Sequence, residues 1–139
     1  MSLFNVLEIG GTALNAQMVR MNTTASNMAN ANSASSASGT TYRARQPVFG
    51  PLLMNELELG NEAQTGVSVL GIVESQAPLR REYQPQHPLA DEQGYVFLPN
   101  VNVVEEMANM ISASRSYETS VEIMEASKRM LQQTLALGQ

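Results

Sequence analysis

The residues best suited to acid–base or metal chemistry are one histidine and a row of glutamates. His87 is the only histidine of the 139-residue chain, which has no cysteine. A nucleophilic mechanism would need an acid to orient this imidazole, and a zinc site would need further His or Cys ligands. Pro85 and Pro88 flank His87 closely and fix the backbone around it. We therefore interpret His87 as a loop residue.

The glutamates Glu118, Glu122 and Glu125 follow one another at spacings of four and three residues, which places three carboxylates on one face of a helix. Such a face can bind a cation, but Glu125 can also pair with Arg129 one turn further on. We interpret it as a solvated face or a weak inter-subunit contact. No phosphate-binding glycine motif and no Gly-x-Ser-x-Gly motif occurs. The sequence thus predicts no enzyme and no catalytic, cofactor-binding or metal site.

The composition narrows the classes of partner. The net charge is −5, and Lys128 is the only lysine beside seven arginines. Without a basic face to neutralise phosphates, nucleic-acid binding is not expected. The N-terminal residues lack a basic region followed by an apolar core, and no apolar run reaches 18 residues. We therefore expect neither a classical signal peptide nor direct membrane insertion.

The C-terminal part of the chain has apolar residues at alternating spacings of four and three, which is typical of a coiled-coil seam on one long helix. The seam positions are Val103, Met107, Met110, Ser114, Tyr117, Val121, Met124, Lys128, Leu131 and Leu135. Asn102 is suited to cap the helix, with Glu105 and Glu106 in its first turn. A helix from Val103 to Leu137 would be about 50 Å long, too long for one small globule to bury. We predict that it needs partners.

The N-terminal residues repeat this spacing and predict a second helix. Its seam consists of Phe4, Leu7, Gly11, Leu14, Met18, Met21, Ala25 and Met28. Gly10 and Gly11 weaken the first turns by about 1 kcal/mol each relative to Ala, so this helix is expected to depend on a partner. The two terminal helices are predicted to pair with each other.

Six methionines among the seam residues leave two interpretations open, because a thioether adapts to many surfaces. The seams either satisfy each other within one chain or also pack against several neighbouring chains. We favour assembly, since two long seams exceed what one hairpin contact buries. A helical adaptor or chaperone-like binder remains an alternative from another class. The predicted subunit interface comprises Leu7, Leu14, Met18, Met21, Met28, Val103, Met107, Met110, Tyr117, Val121, Met124, Leu131 and Leu135.

The middle of the chain has no helical periodicity. Residues 31–41 are small and polar, which is typical of a linker. Short extended pieces then follow at 42–49, 66–74, 79–83 and 95–98, separated by prolines and glycines. The predicted fold class is α+β, with long terminal helices packed as a coiled-coil-like pair and a small β-rich module between them. The predicted domains are 1–30 (N-terminal helix), 31–41 (linker), 42–100 (β-rich module) and 101–139 (C-terminal helix).

Two segments of the sequence resemble a known family. Residues 25–33 are similar to the Asn-Leu-Ala-Asn signature of the axial proteins of the bacterial flagellum, with Met28 in place of the usual Leu. Residues 94–118 closely resemble the proximal rod proteins of that family, and residues 87–91 fit the same pattern, although Gln84 stands where an Asp is usual. The motif residues are Ser26, Asn27, Ala29, Asn30, Asn100, Asn102, Glu105 and Glu106.

The resemblance implies a structural subunit of the flagellar basal-body rod, the drive shaft that spans the periplasm. It implies terminal helices in the inner layer of a helical tube and a small β-rich domain outside it. It further implies export without a cleaved signal. The implied partners are copies of the chain, other rod proteins and the flagellar type III export apparatus, with the MS ring and other basal-body neighbours as further candidates.

Overall fold

The structure is a computed structural model that describes residues 3–53 and 65–137. Residues 54–64 of the predicted β-rich module therefore lie outside the described part. The elements in chain order are α1 (Leu3–Asn30), β1 (Arg45–Leu53), β2 (Thr65–Glu74), β3 (Arg80–Tyr83), β4 (Tyr95–Leu98) and α2 (Val103–Leu137). The predicted α+β class is confirmed, with terminal helices on either side of small antiparallel sheets.

The two helices lie side by side and run in opposite directions. The backbone of Gly10 meets Met124, and the side chain of Arg20 reaches Asn109, so residues further along α1 meet residues earlier in α2. With 35 residues, α2 is about 52 Å long, whereas the 28 residues of α1 span about 42 Å. The predicted helix pair is confirmed.

The start of α2 has the predicted cap. The Val104 amide donates to Asn102 Oδ1 at 3.2 Å, and the Glu106 amide donates to the Asn102 carbonyl oxygen at 2.9 Å. These bonds satisfy amides that have no acceptor within the helix itself. Asn102 thus fixes the residue at which the chain turns into α2.

At two turns, the residue of α2 that is buried lies one position before the predicted seam residue. Ala113 and Ser127 are buried, with exposed fractions of 0% and 3%, whereas the seam placed Ser114 and Lys128 at these turns. Small residues occupy these buried positions because the two helices approach closely there and leave little room for larger side chains. A Cβ atom on Gly10 would lie 2.8 Å from Met124 Cγ. The contact thus combines these small buried residues with a seam residue, Met124, which packs against the backbone of Gly10.

The strands form two separate antiparallel pairs, β1 with β2 and β3 with β4. Pro47 and Pro51 lie within β1, which suits a strand that has only one neighbour, because proline cannot donate to a second one. The β1–β2 register shifts between Val48 and Phe49, and the side chain of Leu70 lies across Gly50. A bulge at this point increases the local twist of the ribbon.

The segment predicted as a linker is tied to the sheets. Ser35 and Phe97 exchange two backbone hydrogen bonds of 3.0 Å, which adds a bridge beside β4. Ala31, the first residue of the segment, and Ala44, three residues after its end, pack with Val101 in a small buried cluster. Composition did not indicate this arrangement, because backbone hydrogen bonds require no apolar pattern.

A buried amide joins α1, α2 and the chain before β1. Asn27 is 1% exposed. Its Nδ2 donates to the Arg45 carbonyl oxygen at 2.8 Å and to Glu106 Oε1 at 3.0 Å. Its Oδ1 accepts from the Tyr42 hydroxyl and from the Arg45 amide, both at 2.9 Å. Both donors and both acceptor sites of the side chain are in use, so this network fixes where the two helices meet the β-rich segment.

Replacing the central amide should destabilise the monomer. In Asn27→Ala the Arg45 amide and the Tyr42 hydroxyl lose this acceptor, which should lower the free energy of unfolding by roughly 2–4 kcal/mol. Urea unfolding followed by tyrosine emission measures this change, since the chain has four tyrosines and no tryptophan. Asn22→Ala is the matched control, because Asn22 lies exposed on the same helix. Equal midpoints for the two variants would show that the network contributes nothing.

Candidate assembly surfaces

The predicted interface residues divide into a half-buried and an exposed group. On α1 the structure leaves Met18 exposed, and on α2 it leaves Val103, Met107 and Leu135 exposed, with Leu135 exposed to 67%. The remaining predicted residues lie half-buried along the helix pair: Leu7, Leu14, Met21, Met28, Met110, Tyr117, Val121, Met124 and Leu131. The helix pair therefore uses only part of the apolar surface that the two seams provide.

Several exposed apolar residues of α2 lie outside the predicted seam. Val104 is 76% exposed and Ile111 is 55% exposed, and Ile123 and Met130 are also about half exposed. Together with the seam they distribute apolar side chains around much of the helix circumference. A helix that is apolar on more than one face is normally covered on more than one face. These residues could have been found in the sequence by counting the apolar residues of α2 that do not belong to the predicted seam.

The half-buried residues near the free ends of the helices surround a groove. Its volume is about 290 Å³, and it is almost entirely apolar. Leu7 and Leu14 line it from α1, and Val121 and Met124 line it from α2, with Glu125 and Lys128 beside them. The structure thus brings four predicted interface residues together on one side of the helix pair.

A second apolar surface lies on the β1–β2 ribbon, which sequence analysis did not single out. The antiparallel register places Val48 and Leu52 on the same face as Gly50, and Leu70 lies across that glycine. Leu70 is 68% exposed, and Val48 and Leu52 are each about 40% exposed. A ribbon of two strands rarely keeps such a face in water without a further contact.

The family-motif residues from the two ends of the chain meet in the structure. Asn27 bonds directly to Glu106, as described above. Beside them the Ser26 hydroxyl lies 3.2 Å from the Tyr42 hydroxyl, and Asn30 Nδ2 donates to the Ser26 carbonyl oxygen at 2.8 Å. The Asn27–Glu106 bond holds the end of α1 against the start of α2, and the Ser26–Tyr42 contact joins α1 to the segment before β1.

Asn100 is the motif asparagine that lies in the β-rich segment, and its side chain bonds to the backbone at two other places in the chain. Its Oδ1 accepts from the Ala44 amide at 2.8 Å, and its Nδ2 donates to the Ala77 carbonyl oxygen at 3.0 Å. Asn102 caps α2, whereas Glu105 and Ala29 are exposed. Most of the motif therefore organises the junction between the helices and the strands.

The residues considered for chemistry serve local structure or lie in solvent. His87 Nδ1 accepts a hydrogen bond from the Leu89 amide at 3.1 Å within a turn. Glu118, Glu122 and Glu125 are exposed on α2. In residues 3–53 and 65–137, no cluster of three or more His, Asp or Glu side chains is placed to hold a metal ion. The same described residues contain no helix with the length and apolarity needed to cross a bilayer.

Two sequence families cover the ends of the chain. The family described as "Flagella basal body rod protein" matches residues 7–34. The family described as "Flagellar basal body rod FlgEFG protein C-terminal" matches residues 92–137. The two matches contain most of α1 and all of α2, together with the motif residues that meet around Asn27.

Similar proteins align over the whole length. The flagellar basal-body rod protein FlgC of Escherichia coli O157:H7 is 48% identical over 140 residues, and that of Yersinia enterocolitica is 48% identical over 139 residues. Both alignments cover all of this chain and all of the relative. The FlgC protein of Borreliella burgdorferi is 37% identical over 151 residues, which cover all of this chain and 99% of the relative. On this full-length similarity, the chain belongs to the FlgC family of flagellar basal-body rod proteins.

Proposed function

We propose that this chain builds the rod through its terminal helices, which pack against copies of the chain and against other rod proteins. As a member of its family, the chain is a structural protein of the flagellar basal-body rod. Within that role, residues 1–30 and 101–139 form part of the inner layer of the rod. Residues 42–100 form the outer module, and residues 31–41 connect the two. The chain reaches its place through the flagellar type III export apparatus, and the MS ring is a further candidate neighbour.

One observation carries this proposal, namely the surplus of apolar surface on the helices. Val104, Ile111 and Leu135 are each more than half exposed, and Phe4 on α1 is 67% exposed. Soluble monomers seldom present apolar residues along the whole length of a helix pair, and such a surface indicates a contact with protein or membrane. Of these two alternatives, membership of a rod-protein family favours contact with neighbouring proteins in the rod.

A shaft that transmits torque needs contacts that resist shear in many places. Each fully buried apolar side chain contributes on the order of 1.5–3 kcal/mol. Exposed residues occur from Val103 to Leu135 on α2, so the contacts are distributed over most of the helix length. A distributed surface of this kind keeps its register when any single contact is strained.

We also infer a purely structural role, without enzymatic activity. His87 is engaged in a turn, and the three glutamates of α2 lie in solvent. None of these groups lines the apolar groove except Glu125, which lies beside Lys128. Acid–base catalysis would need two such groups converging on one bound substrate.

A charge on the exposed apolar face should block assembly and leave export intact. Ile111 is already 55% exposed in the single chain, so Ile111→Glu should fold normally. Buried in the rod without a partner, the carboxylate would cost several kcal/mol, and incorporation should fall more than tenfold. Immunoblots of secreted and basal-body fractions, together with swimming in soft agar, measure both steps.

The matched control for this experiment is Ser112→Glu, which adds the same charge at the adjacent exposed position. We expect this variant to assemble and to support swimming. Normal basal-body content of the Ile111→Glu protein would contradict the assembly proposal. Loss of the protein from the secreted fraction as well would instead indicate an export defect.

The free ends of the helices should be the least protected part of the dilute monomer. Asn27 and Glu106 hold one end of the pair by buried hydrogen bonds, whereas Gly10 and Gly11 weaken α1 towards the other end. Amide hydrogen exchange should therefore be slow around these two residues and at least tenfold faster in residues 4–12 and 125–137. Equal protection along both helices would contradict the expectation.

A further inference from the structure

We propose that three exposed methionines, Met18, Met107 and Met130, are sites of oxidation by hydroperoxides, and that their oxidation keeps the free chain out of the rod. This regulation rests on the proposed assembly function and acts on the same helix surfaces. It concerns the chain before incorporation, because neighbouring subunits would cover these side chains afterwards.

The sulfur chemistry of this chain is confined to methionine. The chain has nine methionines and no cysteine, so no thiol is present to react with an oxidant before the thioethers do. A thioether is converted to the sulfoxide where the oxidant can reach it, so exposure decides which methionines react.

The described methionines differ in how far their side chains reach solvent. Met18 is 47% exposed, and Met107 and Met130 are each 49% exposed. Met124 is less exposed and packs against α1, because a Cβ atom on Gly10 would lie only 3.2 Å from its sulfur. The remaining described methionines are also half-buried: Met21, Met28 and Met110. The first three side chains are therefore the ones that a dissolved oxidant reaches most easily.

The two exposed methionines of α2 lie among other exposed apolar residues. Met107 lies three residues after Val104 and four before Ile111, so the three share one face of the helix. Val104 is 76% exposed and Ile111 is 55% exposed. Met130 lies seven residues after Ile123, which is 51% exposed, and these two share another face. Each of these apolar faces thus contains one oxidisable side chain.

The exposed methionine of α1 has the same setting. Met18 lies fourteen residues, or two heptads, after Phe4, so both lie on one face of α1. Phe4 is 67% exposed. Oxidation of the three methionines would therefore alter the outer apolar faces of both helices.

The modification is the transfer of one oxygen atom to sulfur. A lone pair of the thioether sulfur attacks the terminal oxygen of the hydroperoxide, the O–O bond breaks, and an S–O bond forms. The sulfur loses two electrons, and the peroxide gains them. The hydroperoxide proton moves to the departing oxygen, which leaves as an alcohol, or as water when the oxidant is hydrogen peroxide.

The sulfoxide affects assembly and leaves the fold of the single chain intact. In the free chain these side chains point into water, where the new polar oxygen is hydrated. In an assembled rod the same oxygen would be buried among apolar side chains without a hydrogen-bond donor assigned to it, which is unfavourable. Oxidation thus separates the folding of the chain from its incorporation.

The rate of oxidation at each methionine provides the first test. The purified full-length chain is treated with tert-butyl hydroperoxide, digested at time points and analysed by mass spectrometry. We expect Met18, Met107 and Met130 to react about fivefold faster than Met124, or more, with an unchanged midpoint of urea unfolding. In high urea all four should react at one rate. Equal rates in the folded chain would overturn the inference.

Competition between two forms of the chain tests the effect on assembly. One form is unaltered, and the other has Leu in place of Met18, Met107 and Met130, since Leu is apolar, similar in volume and not oxidised. The two forms carry different tags and are expressed in the same cells, so that damage to other proteins affects both equally. The dose of tert-butyl hydroperoxide is the one that oxidises most copies of these methionines in the secreted unaltered form.

Without oxidant we expect equal amounts of the two forms in basal bodies. With oxidant the Leu form should be enriched about fivefold or more. The matched control form carries Met21→Leu, Met28→Leu and Met110→Leu, which removes three less exposed methionines and should give no enrichment. An unchanged ratio at this dose would overturn the inference. Absence of both forms from intact basal bodies without oxidant would instead overturn the proposed function.

Discussion

The fully buried amide of Asn27 is the interaction on which the arrangement of the other elements depends. It bonds at once to the backbone of Arg45 and to the Glu106 carboxylate, so one side chain specifies the end of α1, the approach to β1 and the start of α2. Hydrogen bonds of this kind are directional, and a shift of one residue in either helix would leave buried polar groups unpaired. The register of the helix pair therefore follows from polar geometry.

Away from this network the helix pair is held by small residues in close contact. Ala113 and Ser127 on α2, and Ala16, Thr23 and Thr24 on α1, are buried. Small side chains allow the backbones to approach but remove little apolar area from water, and the burial of area is what stabilises a helix pair. The larger residues, such as Met107 and Leu135, remain outside the contact. The helix pair therefore leaves much of its apolar surface on its outer faces, which is the surface that the proposed assembly would cover.

Apolar spacing and end signals predicted the helices well, because both are local properties of the chain. The spacing placed α2 from Val103 to Leu137, and Asn102 identified the cap. The face of α2 that contacts α1 was harder to predict from the sequence, because the small side chains of Ala113 and Ser127 contribute almost nothing to an apolar pattern. The two polar positions of the predicted seam, Ser114 and Lys128, were the available hint, because each lies one residue after a buried small one.

The Asn27 network could not be predicted from local pattern, because its partners are distant along the chain. Asn27 and Glu106 are separated by 79 residues. Closing a loop of this length costs about 4 kcal/mol of chain entropy, which the bond offsets only together with the contacts around it. Neither end of the chain can therefore complete its fold without the other. If the chain passes through the proposed export apparatus unfolded and with its N-terminus first, α1 emerges before α2. The polar junction then forms only when both helices are free, at the place where neighbouring subunits can cover their apolar faces.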